Sequence, residues 1–129
     1  MQELRRILHV EDDPDIRAIV KLCLCDLGGF ELLQCPTGRD ALEVAEDFAP
    51  DLFFLDMMMP GLNGLETLQA LRSLETLREV PAIFLTSVNN AEKYHDAIIE
   101  HAVGSIQKPF DPSRLVDQVQ QIWASRQTG

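Results

Sequence analysis

Basic residues are scarce in this 129-residue chain, with 11 Lys and Arg against 21 Asp and Glu and a net charge of −10. Nucleic-acid binding needs a basic footprint, and none is visible. Cysteine is sparse as well. Cys23, Cys25 and Cys35 make an odd count with no C-x-x-C, so they read as small apolar residues in a reducing compartment. No apolar run approaches the ~20 residues of a membrane span. The start, "MQELRRILHV", lacks the apolar stretch and small-residue cleavage site of a signal peptide. A cytoplasmic protein is expected. Repeats, linkers and low-complexity tracts are also missing, and the length suits one domain with a single core.

What is present is an alternation. The apolar runs "RILHV" (6–10), "FELLQC" (30–35), "LFFLD" (52–56) and "AIFLT" (82–86) have the length of buried strands, and "SIQK" (105–108) is a weaker fifth. Amphipathic stretches separate them. "DPDIRAIVKLCLCDLGG" has Asp13 as N-cap, Pro14 at the first helical position and Gly28 as a stop, with Ile16, Val20, Cys23 and Leu27 on one face. "TGRDALEVAEDFAP" opens on Thr37 and ends before Pro50. "GLETLQALRSLETLREV" carries Leu65, Leu68 and either Leu71 or Arg72 on a stripe. "NNAEKYHDAIIEHAV" is a fourth helix. "DPSRLVDQVQQIWASR" is a fifth, opening on Asp111 and Pro112 in the same cap–Pro pattern. Strand–helix alternation predicts an α/β domain whose parallel sheet is covered on both faces.

Polar residues gather where the strands end. "HVEDDP" follows the first, Asp56 closes the third, Thr86 the fourth and Lys108 the fifth. In open α/β sheets ligands bind outside the carboxyl ends of the strands. Carboxylates brought together there repel, by about 4 kcal/mol per pair at ~4 Å and an effective dielectric of ~20. A divalent cation removes that cost. An all-oxygen set with only two or three acids and no twelve-residue calcium loop favours Mg²⁺. Thr86 and Lys108 opposite the metal would then hold phosphoryl oxygens.

The pieces "VEDDP", "LDMMMPGLNG", "FLTS" and "QKPF", in order and each ending a strand, make the chain resemble the receiver domain of two-component response regulators over essentially its whole length. The resemblance implies a single doubly wound, flavodoxin-like domain over residues 1–129, with its core at about 5–125 and no output domain in the chain. It implies five parallel strands in the order 2-1-3-4-5, flanked by five helices. It also implies that Asp56 accepts phosphate from a phosphohistidine on a sensor histidine kinase or phosphotransfer protein. Asp13 would ligate Mg²⁺ directly, Asp12 indirectly, and the backbone carbonyl of Met58 would be a further ligand. Thr86 and Lys108 would each take a phosphoryl oxygen. A cis bond before Pro109 would aim the lysine. The chain would then be a signalling switch rather than an enzyme, acting through an unknown downstream protein. A homodimer through the face of the fourth helix, fifth strand and fifth helix is a further expectation.

Other acids and soft ligands read more plainly. Glu11 is expected to shape the turn rather than to bind metal. Met57, Met58 and Met59 are expected to fill the core, and Trp123 to anchor the last helix by packing. Pro60, Gly61 and Gly64 let the chain reverse beside Asp56.

Departures from the family carry expectations of their own. Many receivers place an aromatic three residues before the lysine, and here that position is Ser105, so coupling from Asp56 to the output face should be weaker or use another group. Ser87 replaces the usual Ala and should narrow phosphate access slightly. Met58 and Val88 flank the path of attacking water and cannot orient it, which implies slow self-dephosphorylation. His101 stands where relatives often have Gly, so the fourth helix should end shifted or frayed. Two rival readings are weaker. A haloacid-dehalogenase-type phosphatase wants a second Asp at position 58, which is Met58, and a flavodoxin-like cofactor module wants a Gly/Ser/Thr-rich loop after the first strand. The chain could also be a receiver fragment of a larger regulator or hybrid kinase, since "SRQTG" offers no structured extension.

Overall fold

Alternating apolar side chains along the strands decide the architecture. In the computed structural model, which describes residues 2–126, five strands form one parallel sheet in the order β2-β1-β3-β4-β5. They are β1 (Arg6–Val10), β2 (Glu31–Cys35), β3 (Leu52–Asp56), β4 (Ala82–Thr86) and β5 (Gly104–Gln107). Leu8, Val10, Phe53, Leu55 and Phe84 point to one face and Ile7, Leu52, Phe54, Ile83 and Leu85 to the other. Successive strand residues face opposite ways, so each face gains a core of its own. Strands β3 and β4 are buried at every position, as expected of the middle of a doubly covered sheet.

Among the described residues six α-helices flank the sheet, one more than expected. Helices α2 (Gly38–Phe48) and α3 (Gly64–Arg72) cover the first face together with α5 (His95–His101). The second is covered by α1 (Pro14–Val20), its π-helical continuation Lys21–Leu27, and α6 (Leu115–Ser125). The extra helix arises because the expected fourth one breaks at Tyr94 into α4 (Val88–Lys93) and α5.

The caps behave as the sequence indicates. Asp13 accepts from the Asp15 N–H at 2.8 Å, with Pro14 at the first helical position, and Thr37 accepts from the Asp40 N–H at 3.1 Å. Asn63 and Glu66 form a reciprocal capping box that opens α3, an arrangement worth about 1 kcal/mol. Asp111 caps a 3₁₀ turn, Pro112–Arg114, rather than α6 itself.

Leu27 departs from its expected face and is 76% exposed, while Leu24 is buried in its stead. The segment from Lys21 winds with i→i+5 bonds, which turn the chain less per residue, so seven residues no longer return it to the face of Val20. The helix stops at the glycine pair: a Cβ on Gly28 would lie 2.7 Å from the Leu24 carbonyl oxygen, and Gly29 adopts φ +77°. The fifth strand begins one residue earlier than "SIQK".

The end of α5 is not frayed. The Arg72 guanidinium donates to the His101 carbonyl at 2.6 Å and to the Val80 carbonyl at 3.0 Å, so a side chain supplies the cap that a glycine often provides. Leu71 is fully buried, and Arg72 turns aside to make these bonds. Trp123 is buried, and its indole N–H donates to the Gln2 carbonyl at 3.2 Å. All three cysteines are free. Among the described residues no helix is long and apolar enough to cross a membrane. The tail "SRQTG" lies outside the described residues from position 127 onward.

Candidate functional site

At the carboxyl edge the sheet ladder runs on for a residue beyond several strands. The Glu11 N–H donates to the Cys35 carbonyl at 3.0 Å, Met57 N–H to Leu85 at 3.0 Å, and Lys108 N–H to Thr86 at 2.7 Å. These bonds fix Glu11, Asp56, Thr86 and Lys108 on rigid backbone. Register sets their mutual level, with Val10 opposite Leu55, Asp56 opposite Leu85 and Thr86 opposite Gln107.

Lys108 closes the arrangement. Its Nζ lies 3.1 Å from Asp56 Oδ2 and 3.5 Å from Glu11 Oε1, and both carboxylates are buried. The Lys108–Pro109 bond is cis, as expected. The other oxygen of Asp56, Oδ1, accepts from the Met58 N–H at 3.3 Å. Behind the aspartate, the chain folds back closely. The Gly64 N–H donates to the Met57 carbonyl at 2.8 Å, and a Cβ on Gly64 would sit 2.8 Å from Met57 Cα. Only glycine permits that approach. Gly61, with φ +74°, supplies the turn before it.

Glu11, Asp12 and Asp56 each bring a carboxylate oxygen within 4.8 Å of the others. Asp13 lies outside this group, because its side chain is engaged in capping α1. The structure thus draws Glu11 into the cluster and leaves out the acid expected to ligate directly. Glu11 was legible as a candidate through one signal: it is the residue directly after the apolar run and therefore still on the strand ladder. Its carboxyl is pushed up to about 8, first by burial and then by the close approach and repulsion of the Asp56 carboxylate.

Thr86 Oγ1 is buried and finds no hydrogen-bond partner among the described residues. A satisfied cap would have used it, but Ser87 takes that role by accepting from the Asn90 N–H at 3.2 Å. Ser87 is therefore engaged with the helix. Buried polar groups are normally paired, so an unpaired hydroxyl beside crowded carboxylates and an ammonium fits an anion that binds there together with a cation. Three carboxylates without nitrogen or sulfur donors suit Mg²⁺.

The methionines divide. Met57 and Met59 fill the core, whereas Met58 is 48% exposed and Val88 54% exposed. Below the site, His9 is buried, stacks on Phe54 with ring centroids 5.2 Å apart, and its Nδ1 lies 3.1 Å from Gln34 Nε2. Burial, aided by the charges of Arg17 and Lys108, lowers its pKa to about 3. His95 and His101 form no ligand pair: each lies near its neighbouring acid, Asp96 at 3.5 Å and Glu100 at 3.8 Å.

The family model for the response regulator receiver domain matches residues 7–120. The chain is 32% identical over 125 residues to the phosphate regulon transcriptional regulatory protein PhoB of Pseudomonas aeruginosa, covering 97% of this chain and 53% of that one. It is 34% identical over 115 residues to an uncharacterized 14.6 kDa protein of Leptolyngbya boryana, covering 89% of this chain and 87% of that one. The solved chemotaxis response regulator CheY4 of Vibrio cholerae superposes with a TM-score of 0.83 at 30% identity, over 93% of this chain and 99% of that one. The chain spans about half the length of several regulators it matches, PhoB among them.

Proposed function

This chain belongs to the response regulator receiver domain family, and on that premise we propose that Asp56 is its phosphoacceptor. A carboxylate oxygen of Asp56 attacks the phosphorus of a phosphohistidine on a sensor kinase or phosphotransfer protein. The new O–P bond forms as the N–P bond breaks, and the electron pair leaves with the histidine nitrogen. Hydrolysis of the acyl phosphate later returns the carboxylate and inorganic phosphate.

The observation that carries this reading is the pairing of a buried Asp56 with Lys108 at 3.1 Å, beside a Thr86 hydroxyl that has no partner. Lys108 would follow charge from the free carboxylate to the phosphoryl group, and Thr86 Oγ1 would donate to one of its oxygens. Asp56, Asp12 and Glu11 would hold Mg²⁺ with the Met58 carbonyl, and the Asp13 carboxylate stays with helix α1. When bound, the cation would neutralise charge on the group in transfer.

An apolar groove of about 330 Å³, lined by Ile16, Ile19, Lys108, Pro109, Phe110 and Pro112, borders the site through Lys108. It supports approach of the donor protein from the α1 side. Output is assigned to the face of α4, α5, β5 and α6, where another protein or a second copy of this chain would read the change. Phosphorylation would act as a signal rather than as turnover of a small substrate.

Intact mass after incubation with acetyl phosphate tests the reading. One added phosphoryl group is expected with Mg²⁺, none without it, and none in Asp56→Asn; uptake by Asp56→Asn would overturn the assignment. Chasing the labelled protein sharpens it further. Met58 and Val88 leave no side chain to orient water, so the label should outlast seconds, and loss within seconds would count against that part.

A further inference from the structure

Of the three carboxylates crowded at one sheet edge, Glu11 and Asp56 sit on the strand ladder and face Lys108, whereas Asp12 follows the ladder on the turn. The turn from β1 to α1 carries two of the three. Its fastening comes from a residue one helical turn away. Arg17 Nη1 donates to the Glu11 carbonyl at 2.8 Å and to the Asp12 carbonyl at 3.1 Å. Arg17 is itself held at both backbone ends: its N–H donates to the Asp13 carbonyl at 3.0 Å, and its carbonyl accepts from Gln34 Nε2 at 2.8 Å. The second hydrogen of that Gln34 amide faces His9 Nδ1. A network anchored in strands β1 and β2 thus ends on the two peptide groups that aim Glu11 and Asp12.

We propose that Arg17 is a positioning residue for the phosphoacceptor site, clamping the Glu11 and Asp12 carbonyls so that their carboxylates meet Asp56 around a divalent cation. The proposal rests on the reading of the site given above. Glu11 Oε2 already accepts from the Asp13 N–H at 3.1 Å, so its side chain has a local anchor. Asp12 is exposed, its side chain has no such anchor among the described residues, and only its backbone is pinned. Repulsion from the Asp56 carboxylate would swing it outward once the clamp is lost. Groups that orient metal ligands from behind commonly matter tenfold or more to affinity.

Mn²⁺ titration of the intact chain, followed by electron paramagnetic resonance, tests this without any phosphorylation step. Arg17→Met, which keeps the stem but removes the donors and charge, is expected to weaken Mn²⁺ binding about tenfold, and Arg17→Lys, which keeps a cationic donor, to stay within about threefold of wild type. Carbonyl carbon shifts of Glu11 and Asp12 should move in Arg17→Met and much less in Arg17→Lys. Wild-type affinity in Arg17→Met overturns the proposal, and so does equal loss in both variants, which would mark a general loosening of α1. Should Arg17→Met fail to fold, Arg17→Gln, too short to span both carbonyls, carries the same expectation. Wild-type protein that binds no Mn²⁺ and takes no phosphoryl group would defeat the reading of the site itself. Wild-type binding that survives in Arg17→Met defeats only the clamp.

Discussion

Strands β3 and β5 run parallel in one sheet, two places apart, yet they are built to different standards. The first has five buried residues, ends on Asp56 and is flanked on both sides by strands; the second has four residues of which Ile106 alone is buried, and forms the edge. Their helices differ in the same way. Helix α3 opens with a capping box and buries Leu68 and Leu71, whereas α4 buries nothing and gives way to α5 at Tyr94. Ile99 on α5 stands 67% exposed. Asp56 therefore sits on the firm half, and Lys108 reaches it from the end of the softer edge strand. Low burial and a broken helix are features of segments that open at small cost.

Core truncation should show the largest gap between the halves. Phe54→Ala, beneath Asp56, is expected to cost about 3–5 kcal/mol, while Ile99→Ala should stay within about 0.5 kcal/mol. Urea unfolding of both variants measures the difference, and comparable losses would erase the contrast. His9 offers an intermediate effect. Its folded pKa of about 3 lies below the ordinary 6.5, so its contribution is whole above pH 6.5 and drains away as pH falls toward 3. Between those limits unfolding takes up one proton at this site, a slope of about 1.4 kcal/mol per pH unit. His9→Gln should remove that slope from unfolding curves taken between pH 4 and 7. The smallest expected effect concerns Ser105. Chemical-shift changes on α4, α5 and β5 with a phosphate mimic should be modest in the wild type and larger in Ser105→Tyr. A large ordered rearrangement in the wild type would show that the soft half responds without an aromatic.

How far the sequence reached follows the same divide. Strands β1, β3 and β4 are apolar runs bounded by turn residues or acids, and their limits were readable to the residue. The glycines near Asp56 were readable as turn-makers, although the close approach of Gly64 to Met57 arises only in the folded chain. Choosing among Glu11, Asp12 and Asp13 was harder, because three adjacent acids give no periodicity. What separates them is the bond from Glu11 to Cys35, which prolongs the strand, and the pull of helix capping on Asp13. Leu27 was misplaced because π-helical winding leaves no mark in an apolar pattern. The break at Tyr94 had no Pro or Gly to announce it, and Arg72 gave no hint that it would reach across to the end of α5.

That last contact has a mechanical consequence. With Arg72 gripping the His101 carbonyl and α5 starting at Tyr94 without a side-chain cap, the helix is bolted at one end and loose at the other. Any displacement of α4 would then be delivered as a tilt about the bolt, with its travel greatest near His95 and least near the entry to β5.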